Sequence, residues 1–374
     1  MRQLISATTT PLASIFGSGF LVIVPILAGA VGEFSVFAMA AICLLAFLVG
    51  EVIRHNILSV ELALQNGASK ITLSLERLSD VALIVAYVIS VCLYLHILSA
   101  FVLAGLDIES HFADDMLTTC VIVFITLIGL TKGLQPLEKL EKWALYVTLA
   151  IIIVLCAAFA YYDGSLLSGG KSFQMPQTNA YSNWQILTIL AGTLIVVQGF
   201  ETSRYLGASY PSKIRVASSR LSQIIATVVY LSFVALTLPA VHLLNGVYND
   251  NSLIELVGYT AALLVAPLIL AATLSQFSAA VADTLAAAGN LNELSNKKVP
   301  EKLAYLLIGM AAVALTWTVD TFTVLALASR AFALYYFLQC LVALTVTSNI
   351  GLKLFFTLMA CILAFITLFA VPVG

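Results

Sequence analysis

Phe16-Gly17-Ser18-Gly19-Phe20 interrupts the first long apolar segment of the chain, and Gln198-Gly199-Phe200-Glu201-Thr202-Ser203 interrupts another about half the chain later. In lipid, backbone N–H and C=O groups must be satisfied internally, so a broken helix is tolerated only where it is buried in protein or lines a cavity. Two broken segments at corresponding places in two halves are a sequence signature of a transport site near the membrane midplane.

The composition around these interruptions is that of a membrane protein. Hydrophobic residues make up 61% of the 374 residues and charged residues only 10%, against roughly 25% charged in a soluble domain. Apolar runs of about 20 residues, enough to cross the hydrocarbon core, recur along the whole chain. The sequence predicts an all-α polytopic protein with one transmembrane domain (1–374) and eleven spans: 5–31, 34–54, 80–105, 116–131, 143–162, 184–207, 216–244, 258–290, 300–318, 321–347 and 351–372.

The distribution of positive charge predicts the orientation. With the N-terminus inside, all but two of the 17 Lys and Arg residues fall on the cytoplasmic side; Lys171 lies in an outer loop and Arg330 within a span. This asymmetry predicts a cytoplasmic N-terminus, an outer C-terminus and an odd number of spans in a plasma or inner membrane. No basic patch lies outside this pattern, so no nucleic-acid partner is expected.

The eleven spans divide into two sets of five. Repeat one covers about 5–162, repeat two about 184–347, and the helix at 351–372 is additional. Because five is odd, the second set starts on the opposite side of the membrane, the condition for an inverted repeat. The connection 55–79 is predicted to be an interfacial helix, and 245–257 a short lid over the outer mouth.

The first interruption has two interpretations. Small residues let membrane helices approach closely, so Gly17, Ser18 and Gly19 are consistent with simple helix packing. Alternatively, they form an unwound stretch whose N–H groups, together with the dipole of the half-helix that follows, bind an anionic group such as a carboxylate. On the second interpretation Gly17, Ser18, Gly19 and Phe20 form part of a substrate site.

The second interruption supplies Gly199, Phe200, Glu201 and Thr202 to the same predicted site. Glu201 is an ionisable side chain inside a span, which by default suggests function. Two roles are open: direct contact with substrate, or a structural hydrogen-bond bracket for backbone groups freed by the break. Phe200 is either a hydrophobic gate or part of the core.

These residues carry a family resemblance. Ile15 to Phe20 with Pro25 resembles the first-helix motif of the amino acid–polyamine–organocation (APC) superfamily, and Gly199-Phe200-Glu201 with Pro211-Ser212-Lys213 resembles its sixth-helix break. Two further stretches, Gly133–Lys142 and Ala328–Tyr336, are also similar. The resemblance implies a five-plus-five inverted repeat with broken helices 1 and 6, as in leucine-transporter-like proteins, alternating access and an amino acid substrate.

Candidates for ion coupling are Ser275, Ser278, Asp283 and Glu51. Sodium-coupled relatives carry two neighbouring hydroxyl residues on helix eight; this chain has Ser278 but Ala279 at the second position. Proton-coupled relatives place a lysine in span five, where Thr148 stands here. A buried carboxylate, Asp283 or Glu51, is the remaining proton candidate. Asp283 is better placed for a proton and Ser278 for sodium, and an uncoupled exchanger is the alternative to both.

The other intramembrane charged residue, Arg330, is a candidate for an outer gate with Asp320, or snorkels outward. The sequence contains no phosphate-binding loop and no Cys/His metal spacing, so neither an enzyme nor a protein with a bound cofactor or metal is predicted. The predicted function is secondary active transport of a small carboxylate-bearing solute. A neutral amino acid is favoured because few intramembrane charges lie near the breaks. Cationic amino acids or polyamines, a passive channel and a transporter-like receptor are the alternatives.

Overall fold

The computed structural model describes residues 2–17, 19–134, 140–176 and 181–372 and is helical, with no strand in those ranges. Ser18 and residues 135–139 of the Gly133–Lys142 stretch lie outside them. The α-helices are α1 (Arg2–Gly17), α2 (Ile23–Val31), α3 (Ser35–His55), α4 (Glu61–Gln65), α5 (Lys70–Ala104), α6 (His111–Lys132), α7 (Leu140–Ser168), α8 (Asn183–Ala191), α9 (Ser212–Thr237), α10 (Ser252–Ala261), α11 (Val265–Leu294), α12 (Glu301–Thr316), α13 (Thr321–Val346) and α14 (Ile350–Phe369).

Among the described residues, eight helical segments are long and apolar enough to cross a membrane. This confirms an all-helical, polytopic membrane protein. Three of the predicted spans fall short of an unbroken membrane-length helix: the first and sixth are interrupted, and α12 has 16 residues. A helix needs about 20 residues to cross 30 Å of hydrocarbon. The count of eleven and the inverted repeat remain predictions.

The connection 55–79, predicted to be an interfacial helix, does not form one separate helix. The third helix instead continues through a π-helical turn, Asn56–Val60, into α4, and α5 begins at Lys70. Ile57 and Val60 are buried in this continuation, whereas Leu58, Leu62 and Ile71 are exposed, so an interfacial position for these exposed side chains stays a prediction. The chain turns at Gly67, and Ser69 caps α5 by accepting the N–H of Thr72.

The bundle is built around α5, which packs against α11 and α13. Side chains from Ala82 to Phe101 form one nearly continuous buried surface along α5. Beside this centre, α1 packs against α9, and α14 packs on the outside of α13. A helix that is buried on most sides can be apolar all round, which explains why α5 has no polar stripe. This arrangement places both interrupted segments inside the protein rather than against lipid.

Candidate functional site

The first interruption lies between α1 and α2. Helix α1 ends at Gly17, and Gly19 to Val22 form a turn in which the Val22 N–H donates to Gly19 O at 3.1 Å. The φ of Gly19 is +129°, a conformation that L side chains rarely adopt. The prediction that the backbone unwinds from Gly17 onward is wrong by one residue, because Gly17 is still helical. Ser18 lies outside the described residues.

The second interruption starts earlier than its sequence motif. Helix α8 stops at Ala191, a 3-10 segment runs over Leu194–Val197, and a second 3-10 segment, Phe200–Ala208, follows the break. Gly199 has φ +124°. The motif predicts that the α-helix breaks at Gln198, but the α-helix already ends at Ala191. The 3-10 segment that follows the break is wound more tightly than an α-helix.

The two interruptions touch each other through their glycines. A Cβ added at Gly199 would lie 2.6 Å from Ile15 N and 2.7 Å from the carbonyl carbon of Ser14. A Cβ at Gly19 would lie 3.1 Å from Val196 Cγ2. The contact at Gly199 is with backbone, so it leaves no room for a side chain. Close approach and positive φ both require glycine here.

Glu201 is fully buried and binds the break itself. Its Oε2 accepts the Gly199 N–H at 2.9 Å and the Tyr336 hydroxyl at 2.7 Å. Phe200 stacks on Tyr336 with ring centroids 5.4 Å apart. These contacts are those of the structural bracket, one of the two roles that the sequence leaves open. Phe200 accordingly lies in the packed core.

A cavity of about 460 Å³ lies beside both interruptions. It runs from Phe16 and Thr202, next to the breaks, along α11 to Asn290 and Glu293, at the end of α11 that precedes Lys297 and Lys298. This volume lies in the range of small-molecule sites. The lining residues come from α1, α5, α7, α11 and the 3-10 segment 200–208: Thr10, Ala13, Ser14, Phe16, Tyr87, Ala144, Leu145, Thr148, Thr202, Tyr205, Leu206, Ser275, Ser278, Ala279, Ala282, Asp283, Leu285, Ala286, Gly289, Asn290 and Glu293.

Three of the four ion-coupling candidates line this cavity: Ser275, Ser278 and Asp283. Asp283 accepts a hydrogen bond from Ser90 of α5. The hydroxyl oxygens of Ser278 and Thr148 are buried, and neither has a hydrogen-bond partner among the described residues. The cavity wall, as far as the chain is described, contains two carboxylates and no Lys, Arg or His. Its field therefore favours a positive group.

The fourth candidate, Glu51, lies elsewhere. It forms ion pairs with Arg54 at 3.1 Å and with Arg220 at 3.0 Å, and its side chain is 34% exposed. The predicted gate pair is also apart. Arg330 donates to the carbonyls of Thr367 and Leu368 at the end of α14, at 2.8 Å each.

Asp320, the other half of that predicted gate, caps α13. Its carboxylate accepts the Thr323 N–H at 3.0 Å and the Thr323 hydroxyl at 2.7 Å. Arg330 and Asp320 each satisfy a helix end, so the pairing expected between them is not formed in this structure. Phe20 packs between Tyr230 and Phe233 rather than on the cavity.

A second cavity, of about 920 Å³, lies on the opposite side of the bundle, among the ends of α5, α6, α10, α12 and α13. We call it the acidic vestibule. Six carboxylates line it: Glu109, Asp114, Asp115, Asp250, Glu255 and Asp320. The sequence predicts a lid over 245–257, and the second half of this segment, from Ser252, is part of helix α10. This helix borders the acidic vestibule.

At the vestibule floor, His96 Nδ1 is 2.9 Å from Asp114 Oδ2. One ligand atom from each of His96, Asp114 and Asp115 lies within 4.8 Å of the others, a spacing that could hold a metal ion. The direct contact pairs one atom of each group, whereas His96 Nε2 and Asp114 Oδ1 are buried without a hydrogen-bond partner among the described residues.

Four residues that complete the site are not among the predicted site residues. Tyr336 donates a hydrogen bond to Glu201, and Ser90 donates one to Asp283. Tyr230 contacts both interruptions, and Thr148 contributes a buried hydroxyl. Each lies far along the chain from the group that it serves. The only local signal is a hydroxyl inside an apolar run, and such residues also occur as ordinary back-bonded helix residues.

Two broken segments that meet in the protein interior, beside a cavity lined by two carboxylates, are features of a membrane transporter. Comparison with known proteins agrees. Residues 1–370 match the family described as APC superfamily transporter. An uncharacterized protein of Aquifex aeolicus (strain VF5) is 37% identical over 376 residues, covering 98% of this chain and 91% of that protein. The chain belongs to the APC superfamily of transporters.

Proposed function

We propose that this protein is a secondary active transporter that moves small amino acids by alternating access. The observation that carries the proposal is the 460 Å³ cavity, which ends at Phe16 and Thr202 beside both breaks and exposes Asp283 along its wall. Binding energy from groups on both broken segments would favour one arrangement of the two over the other, as alternating access requires.

An amino acid fits the polarity of this region. Its ammonium group would lie toward Asp283, and its carboxylate toward backbone N–H groups and the dipole at the start of α2. Small and apolar residues, among them Ala13, Ala279 and Ala282, make up much of the remaining wall. We therefore propose a neutral amino acid as the first substrate class.

A cationic amino acid or a polyamine is the second candidate. One observation favours it: Asp283 and Glu293 line the cavity, and no cationic side chain among the described residues offsets them. A ligand with two positive groups would neutralise both carboxylates, whereas a neutral amino acid would neutralise one. The two substrate classes therefore differ in whether Glu293 contributes to the affinity for the ligand.

We also propose the membrane in which the protein lies and the ion that drives transport. The charge asymmetry of the sequence supports a plasma or inner membrane, with the N-terminus in the cytoplasm and the C-terminus outside. In that orientation the 460 Å³ cavity faces the cytoplasm and the acidic vestibule faces outward. We propose symport with a proton carried by Asp283. Sodium is the second candidate, supported by the buried hydroxyls of Ser278 and Thr148, and uncoupled exchange the third.

The decisive experiment starts with ligand-induced stabilisation. A ligand that binds only the folded protein raises its melting temperature. The purified protein is screened against the twenty amino acids and a set of polyamines, and each hit is tested for counterflow in proteoliposomes. Stabilisation and counterflow by neutral amino acids support the first class. Hits confined to arginine, lysine or polyamines support the second.

The other function classes give different results in the same vesicles. A passive channel equilibrates solute without counterflow and without saturation. A receptor on a transporter scaffold binds a ligand but moves none. The variant Glu293→Gln separates the two substrate classes, since it is expected to weaken binding of a dication more than that of a neutral amino acid.

A further inference from the structure

Tyr230 contacts both interruptions at once. This residue of α9 is fully buried, and its hydroxyl oxygen lies 2.6 Å from Val196 O and 3.2 Å from Ile15 O. Ile15 is in the last turn of α1, before the first break, and Val196 is in the 3-10 segment before the second. One side chain from a third segment therefore reaches the backbone of both.

The ring of Tyr230 extends the same contact. It stacks on Phe16, which precedes the first break, with centroids 5.9 Å apart and planes at 19°. It also lies 5.3 Å from the ring of Phe20, which follows that break. The ring thus spans the non-helical turn, and the hydroxyl reaches beyond it to the second broken segment.

The chemistry of the hydroxyl explains why a tyrosine suits this position. The last four carbonyls of a helix lack partners within that helix, and a buried carbonyl needs a donor. A phenol has one proton, which is directed to one acceptor at a time. The shorter distance gives that proton to Val196 O, and the longer one leaves Ile15 O within reach.

We propose that Tyr230 is a positioning residue that holds the two interruptions in register, so that groups from both can meet the same solute. It touches the backbone of the breaks and need not contact substrate. The role rests on the proposed transport function, because register between the breaks matters only if groups from both bind the same solute. The same close register explains why positions 19 and 199 are glycines, since Gly19 and Gly199 each lie close to the opposite broken segment.

The test uses Tyr230→Phe, which keeps the ring and removes the hydroxyl. Tyr305→Phe is the matched control, since Tyr305 is equally buried and its hydroxyl has no hydrogen-bond partner in the described chain. Hydrogen–deuterium exchange is measured without ligand on peptides covering 14–22 and 193–203. We expect exchange to rise in both peptides by about fivefold, the factor equivalent to one hydrogen bond, and to be unchanged in the control.

Transport kinetics supply the readout that a merely structural role would not change. For each panel amino acid that the wild type moves, Tyr230→Phe should raise the half-saturation concentration by about fivefold and leave the maximal rate within twofold. Faster exchange in only one peptide, in neither, or equally in the control would overturn the proposal. So would an unchanged half-saturation concentration.

Two further results keep the test decisive. If Tyr230→Phe does not fold, exchange in the wild type is followed on warming; the two peptides should open together, and separate opening would contradict the role. If wild-type vesicles move no amino acid or polyamine, the transport proposal fails. The ligand-free exchange measurement still decides whether Tyr230 couples the breaks.

Discussion

The Tyr336 hydroxyl donates to Oε2 of Glu201 at 2.7 Å, and the same oxygen accepts the Gly199 N–H at 2.9 Å. The Glu201 carboxylate therefore links Tyr336 of α13 to the backbone of Gly199, which has a positive φ in the second break. Charge-assisted hydrogen bonds of this kind are stronger than neutral ones and fix geometry. A bracket also explains why an acidic residue is buried in a segment that does not expose it to the cavity.

We predict that Tyr336→Phe destabilises the protein by about 1–3 kcal/mol, because the buried carboxylate loses one of its two donors. The measurement is the melting temperature of purified protein. Tyr305→Phe, which removes a hydroxyl without a partner in the described chain, is the control and should be close to wild type. Equal melting temperatures for all three proteins would show that Tyr336 does not support Glu201.

The close packing of α1 on α11 gives a second prediction. A Cβ at Gly17 would lie 2.8 Å from the Cβ of Ala279. Gly17→Ala should therefore destabilise the protein by about 1–3 kcal/mol through overpacking, although alanine favours a helix. Gly164→Ala, with open space around it, should be neutral or stabilising. The double variant Gly17→Ala/Ala279→Gly should recover the loss, and failure to recover would place the cause elsewhere.

Gly199 allows backbone strain and steric contact to be separated. Gly170 also has positive φ, +71°, but nothing lies within 4 Å of an added Cβ. Gly170→Ala is expected to cost only strain, about 1–2 kcal/mol. Gly199→Ala adds a clash with the backbone of Ile15 and should prevent folding, seen as loss of monodisperse protein after solubilisation. A folded Gly199→Ala protein would mean that the two breaks are not in contact.

The sequence predicts the membrane class, the family and both breaks, because each depends on local composition. Glycine and glutamate inside an apolar run signal a broken helix wherever the rest of the chain lies. Helix boundaries are harder to predict: Gly192 directly follows the last residue of α8, but a single glycine in an apolar run does not by itself mark a helix end. Pairings such as Ser90 with Asp283 join residues 193 positions apart, and only the packing of α5 against α11 brings them together.

Gly19 illustrates the same limit. The sequence places Gly19 in a predicted substrate site, whereas a Cβ added there would meet Val196 Cγ2 at 3.1 Å. A bulky residue at Gly19 is thus expected to reduce uptake by separating the breaks rather than by filling the ligand's space. The spatial neighbour of a residue in a turn depends on tertiary packing, which local pattern does not encode.

A pH-dependent prediction concerns Asp320, outside the spanning helices. Burial raises the pKa of this carboxyl, but hydrogen bonds from Thr323 outweigh it, so the pKa lies below its usual 3.8. A lowered folded-state pKa stabilises above the unfolded value, and the contribution is lost as pH falls through the folded value. Asp320→Ala should cost about 1 kcal/mol at pH 7, and the difference in melting temperature should shrink below pH 4. A constant difference would exclude the charged cap.

The last prediction concerns the driving ion and Asp283. For symport of one proton per substrate, a gradient of one pH unit, about 1.4 kcal/mol, sustains at most about tenfold accumulation. Wild-type vesicles should approach that ratio. Asp283→Asn, which has the shape of the protonated side chain, should lose accumulation and retain counterflow, because its amide oxygen can still accept a hydrogen bond from the substrate ammonium but carries no proton.

Glu293→Gln is the matched control for that experiment, since it removes the other cavity carboxylate, farther from the breaks. It should keep the response to the pH gradient. Sodium-dependent uptake that ignores pH and is lost in Ser278→Ala and Thr148→Val would replace the proton with sodium bound by these two hydroxyls. Counterflow that responds to neither gradient in the wild type would identify an exchanger, in which Asp283 serves substrate binding alone.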